Sequence, residues 1–396
     1  MTITATATVE IAADVDAAAP AARGAVRDAR ARILLAPVTV TPSKPLTPSH
    51  LKGLLWTDVM YRACRLSARV DFRASHSCYH QTEQTLGFWE FLDRAVGDVD
   101  YGEFDEQQIG ALYMRFRADR SRPPSQALHP YAAAVEQGWA HPSAARMLEL
   151  WRGHYATLGL HDPGLGHWQP PGYSMAEVVD LLESAGICLD HRALGGPVFL
   201  DLTAEGMPLR QILGADGSPN LIGCALRDLL PLAPHYDEVV LLHDPELAAD
   251  YRLLARALDR CGASARTVAV GRVPLDGRIA SAREGGWQDV TADRLLPRLA
   301  ARFGPAALRL GARVYFIAGL GPGDQQSFRE DLLVHSTVRA ERMLAAAEER
   351  AARSPAQIAE RHRGGQHSTD PYRLTAGLLA RHGPKPAMDL LEAVFL

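Results

Sequence analysis

The stretch from Ile33 to Arg65 constrains this chain more than any other. An apolar run rich in Val, Ile and Leu, Ile33 to Val40, enters a proline-rich loop. The chain leaves that loop in a 3.6-residue period through Leu51, Leu54, Leu55, Val59 and Arg62. The spacing predicts strand, loop and helix. Thr47, Ser49 or Pro48 can begin the helix, because a hydroxyl accepts an orphan N–H and proline is tolerated in the first turn. A loop from the carboxyl end of a parallel strand into a helix N-terminus is where doubly wound sheets bind phosphates, since backbone N–H groups and the helix dipole face the anion. His50 and Lys52 stand on that first turn. No glycine-rich P-loop or G-x-G-x-x-G occurs here, which excludes the common phosphate cradles.

A chain of 396 residues has room for two or three structural units and a large core. Its net charge of -4 gives no overall attraction to nucleic acid, so tRNA is possible as a partner but not favoured. The cysteines at 64, 78, 188, 224 and 261 are odd in number and never in C-x-x-C spacing, as expected of reduced cytoplasmic thiols. His76-x-Cys78-x-His80 offers soft ligands, yet loop residues lining a pocket are the better expectation and no metal site is assigned. No apolar run reaches the roughly 18 residues that span a bilayer. Residues 1–30 are Ala- and Thr-rich without the basic start of a signal peptide, and read as a disordered leader.

Strand-like and helical segments alternate again in the second half. Pro197 to Asp201, Glu238 to Leu242 and Thr267 to Val270 read as strands, Ser218 to Leu230 and Pro245 to Arg260 as helices. Such alternation argues a parallel sheet with right-handed crossovers, its two halves meeting at a switch point. Between them, Leu86 to Gly195 is mostly helical, with Trp89 and Trp151 expected in helix cores.

Pro45-Leu46-Thr47-Pro48-Ser49-His50-Leu51-Lys52-Gly53, followed by Asp58-Val59, resembles the first signature of class I aminoacyl-tRNA synthetases, P-L-H-I-G-H-L-R-G. Thr47 replaces the first histidine and Ser49 the glycine. Leu213-Gly214-Ala215-Asp216-Gly217-Ser218-Pro219, running on to Arg227-Asp228, and then Tyr236 to Asp244, resemble arginyl-tRNA synthetase segments. The place of the K-M-S-K-S loop is taken by Gly277-Arg278-Ile279-Ala280-Ser281-Ala282-Arg283, and Arg302 to Arg309 is similar to the stem-contact segment.

The resemblance covers roughly half the chain and implies an α/β fold: a Rossmann-like doubly wound parallel sheet with a helical insertion and a helical C-terminal region. It divides the chain into 31–86 and 196–283 as the two halves of the nucleotide-binding core, 87–195 as the connective insertion, capping the site with Trp168 and Tyr173, and 284–396 as stem-contact and C-terminal helices. A long helix is expected over Ser327 to Arg353 and a short one over Met388 to Leu396, less than an arginyl anticodon bundle needs.

The resemblance further implies ATP and Mg2+ as cofactors, and a shortened arginyl-like paralogue outside general translation. The expected activity is a ligase that activates an amino acid with ATP and passes the aminoacyl group to a small-molecule acceptor, making an amide or ester in specialised metabolism. Thr47, Ser49, His50, Lys52, Asp244 and Ser281 would hold the nucleotide, with Thr47, His50, Arg278 and Arg283 catalytic. Tyr79, His80, Gln81 and Asp228 would face the amino acid. Two alternatives stay open: an aminoacyl-tRNA-dependent transferase without adenylation, and a non-catalytic regulator or scaffold. The amino acid, the acceptor and the oligomeric state stay open as well.

Overall fold

Arg32 donates its backbone N–H to the carboxylate of Asp237, 205 residues further along, and so fixes the register of the central strand pair. The computed structural model describes residues 30–37, 40–74, 76–119, 121, 123–279, 287–349, 353–380 and 385–396. Its strands are β1 (Arg32–Pro37), β2 (Arg69–Phe72), β3 (Cys188–Asp190), β4 (Val198–Leu200), β5 (Arg210–Leu213), β6 (Glu238–His243) and β7 (Ala265–Ala269). A parallel sheet has the order β2-β1-β6-β7. The chain therefore winds outward from β1 to β2 on one side and from β6 to β7 on the other, and the order reverses between β1 and β6.

Successive side chains of a strand point to opposite faces, and both faces here are covered. Ile33 and Leu35, with Val240 and Leu242, pack against the first helix, Pro48–Arg65, and the C-terminal helices. Leu34, Ala36, Val239 and Leu241 pack on the other side against the helices Leu221–Leu229 and Ala248–Arg260. Every residue of β6 is buried. This is why the central strands read as continuous apolar runs instead of alternating ones.

The strand at Val198–Leu200 is not part of the parallel sheet. It is the middle of a second, antiparallel sheet, β3-β4-β5, of strands too short to show a period. The insertion is a layer of helices, Glu83–Ala95, Glu106–Ala118, Ser125–Glu136 and Pro142–Leu158, with its own aromatic core around Phe88, Trp89 and Tyr113. The long helix expected over Ser327 to Arg353 spans only Glu330–Ala345, because Arg329 is extended and gives its N–H to the Tyr315 hydroxyl at 2.7 Å. The polar stretch after it contains a further helix, Pro355–Arg361, capped by Ser354 and Gln357. Val38 and Thr39, expected to prolong the first strand, lie outside the described residues.

Buried charge ties the helices together. Arg313 is fully buried, with Nη2 2.5 Å from Asp58, and Asp58 also accepts from Arg62 and from the His161 backbone N–H. At the amino end of β6, buried Glu238 accepts from Arg266, Ser368 and the His367 backbone N–H. Among the described residues no helix is long and apolar enough to cross a membrane.

Candidate active site at the strand reversal

A cavity of about 270 Å³ opens at the carboxyl edge of the parallel sheet where the order reverses. Pro37 at the end of β1 and Leu242, His243 and Asp244 at the end of β6 form its sheet side. Ser49 and His50 reach it from the first turn of the helix Pro48–Arg65, and Val270 and Arg272 from the loop after β7. This is the crevice in which open α/β sheets bind ligands, because two loops diverge there and leave a gap.

The helix start is built by reciprocal capping. The Thr47 backbone N–H donates to His50 Nδ1 at 3.0 Å, and the Thr47 hydroxyl lies 3.2 Å from the same nitrogen. With Nδ1 occupied as an acceptor, the ring proton sits on Nε2. Burial, with Lys44 and Arg272 close by, holds His50 well below its usual range, so it is a neutral donor. Ser49 locks the helix to the opposite loop: its hydroxyl accepts from the Val273 N–H at 2.9 Å and donates to the Val273 carbonyl at 3.3 Å.

Two cations flank this wall. Lys44 lines the cavity half-buried, and burial next to Arg272 lowers its ammonium to about 8. Arg272 is held by both carboxylate oxygens of Glu246, at 3.0 and 2.9 Å. Asp244 faces them with its carboxyl raised, chiefly by burial. The other side of the cavity is apolar, formed by Phe72, Leu148, Trp151, Tyr155 and Leu165.

The sequence-expected residues separate into groups. Ser49, His50 and Asp244 line the cavity, and Thr47 orients His50 behind it. Lys52 is fully buried and gives its ammonium to the Gly323 carbonyl at 2.6 Å, outside the cavity lining. Arg278 stands exposed on a tight turn, its N–H and C=O paired with Leu275 and the turn anchored by Gly277 N–H to the Ser327 hydroxyl. Ser281 and Arg283 lie outside the described residues.

Tyr79 and Asp228 share a separate crevice of about 10 Å³ with Arg73, whose Nε and Nη2 lie 2.9 and 2.6 Å from the same Asp228 oxygen. His80 is buried edge-on against Trp89, and Gln81 bonds the Ala132 carbonyl and Glu136, so both serve the helical layer. His76 lines the main cavity, with its ring 5.8 Å from that of His80; the Cys78 side chain lies outside those described. Trp168 is exposed, and neither it nor Tyr173 lines the cavity. Lys44, Arg272, Phe72 and Tyr155 are the residues the sequence did not single out, and Trp151, expected in a helix core, is buried there beside the cavity. Trp151 and Tyr155, four apart on one helix face, carry a signal that a closed core gives equally.

The parallel sheet with its order reversing at this cavity, and helices on both faces, defines a doubly wound α/β protein. The particular fold is that of the class I aminoacyl-tRNA synthetases. Among solved structures, the arginyl-tRNA synthetase of Thermus thermophilus is similar at a TM-score of 0.58 and 16% identity, over 83% of this chain and 66% of its own. That of Plasmodium falciparum is similar at 0.53 and 12%, over 85% of this chain and 59% of its own. This chain thus spans less than two thirds of the length of either. No family model and no curated protein sequence matches it.

Proposed function

We propose that the chain activates an amino acid with ATP and transfers the aminoacyl group to a small-molecule acceptor, forming an amide or ester. The observation that carries this reading is the pairing of a neutral His50 donor with Lys44 and Arg272 on one wall of the switch-point cavity. In the first step a carboxylate oxygen of the amino acid attacks the α-phosphorus of ATP, and the bond to pyrophosphate breaks. His50 Nε2–H donates to a phosphate oxygen, while Lys44 and Arg272 neutralise charge in a partly closed cleft, where such interactions exceed their value in water. A guanidinium held by Glu246 and a fixed imidazole need little reorganisation.

Asp244 sits where the ribose side would lie. Arg278, and Arg283 from the adjoining segment, would bring further charge to the departing pyrophosphate. Mg2+ would neutralise phosphate charge and would arrive on the nucleotide, since no group of three or more acidic, His or Cys side chains gathers among the described residues. In the second step an amine or hydroxyl of the acceptor attacks the acyl carbonyl, and AMP leaves with the bonding electrons.

Exchange of labelled pyrophosphate into ATP across a panel of amino acids tests the reading. Exchange with one amino acid, lost in Lys44→Met and in Arg272→Met, is the expected result. Neither exchange nor ATP binding by calorimetry would point instead to a fold kept for another purpose.

A further inference from the structure

The cavity has two chemically opposed halves, and the apolar one is the more informative about what enters. Around it the carboxylates are engaged. Asp58 is held by Arg313, Arg62 and a backbone N–H. Asp162 accepts from the Gly164 and Leu165 backbone N–H groups and faces Arg152. Asp228 is taken by Arg73 in a crevice that holds no more than one water. The carboxylate on the cavity lining itself is Asp244, and it faces Lys44 and Arg272. A cationic side chain entering here would lose its water and, among the described residues of the lining, meet two like charges for the one carboxylate of Asp244. Aromatic faces do attract cations, but by far less than such desolvation costs.

We infer that the substrate side chain is uncharged and bulky, seated on Phe72, Leu148, Trp151, Tyr155 and Leu165, and that a cationic amino acid such as arginine is refused. The inference rests on the adenylating reading above. Trp151 is buried, lines the cavity, and its indole N–H has no hydrogen-bond partner among the described residues.

The test uses the full chain and calorimetry with four stable adenylate mimics: sulfamoyladenosine, and its N-phenylalanyl, N-leucyl and N-arginyl derivatives. At least one of the phenylalanyl and leucyl derivatives is expected to bind about tenfold or more tighter than sulfamoyladenosine, the order a buried apolar side chain brings. The arginyl derivative is expected to bind no tighter than sulfamoyladenosine. Leu148→Phe, which fills the apolar half, should abolish the gain. Sulfamoyladenosine binding with the arginyl derivative tightest, with no gain for either apolar derivative, or with a gain indifferent to Leu148→Phe, overturns this inference and leaves adenylation standing. Failure of all four, sulfamoyladenosine included, removes the adenylating reading and this inference with it.

Discussion

A lysine beside a second cation in a half-closed cavity gives up its proton early. Lys44 is lowered from 10.5 to about 8, first by burial and then by Arg272. Between those values the unfolded chain holds the proton that the folded chain has released. This lysine's contribution to stability therefore rises with pH through that window, and its penalty is complete below about 8. A bound polyphosphate reverses the penalty by favouring the charged form. ATP binding at pH 8 should take up protons, seen as a binding enthalpy that varies with the ionisation enthalpy of the buffer, and Lys44→Met should remove that variation.

His50 works without charge, so its loss should appear in rate more than in pH dependence. His50→Ala should slow pyrophosphate exchange by about 10², the usual effect of removing one transition-state donor. Asp58 has a purely structural part. Asp58→Ala strands a fully buried Arg313 and should cost about 3–5 kcal/mol in urea unfolding, with Asp58→Ala/Arg313→Met recovering most of it.

At the scale of elements, the loop after β7 decides whether Arg272 reaches the cavity. Gly271 gives its N–H to the Pro322 carbonyl at 2.7 Å, and a Cβ there would lie 2.3 Å from the Gly323 backbone. Gly271→Ala should therefore push Arg272 and Val273 away, costing about 1–3 kcal/mol of stability and lowering ATP affinity, readable by melting temperature and calorimetry. The buried Lys52 ammonium holds the same Gly323 from beneath.

The central strands and the first helix were legible because burial on both faces, a proline-rich loop and a helical period each leave a mark in one short window. The antiparallel sheet was not, since three- and four-residue strands carry no period. His50, Ser49 and Asp244 were legible as positions at element ends. Lys44 and Arg272 were not, because a cation in a loop acquires its role only when strands distant in sequence meet. Tyr79 and Asp228 stand at helix ends as well, but Arg73 and Tyr251 close their crevice.

At the scale of the molecule, the polar wall of the cavity joins Lys44, Ser49 and His50, which follow β1, to Asp244 and Arg272, which follow β6 and β7. A bound sulfamoyladenosine should slow hydrogen exchange in the segments 44–52 and 270–273 together. Protection of one segment alone would mean that the ligand sits elsewhere.

The Arg32–Asp237 contact, 205 residues in span, also carries a consequence for biosynthesis. A ribosome adding about 5–20 residues per second emits β6 some 10–40 s after β1. Through that interval β1 is an apolar strand with one edge open, since β2 is its one available parallel partner and β6 does not yet exist. Slow decoding between the two halves would lengthen the exposure, and a chaperone that shields short apolar segments would shorten it. β1, with Ile33 to Ala36 buried in the finished sheet, is the strand the nascent chain must keep from sticking longest.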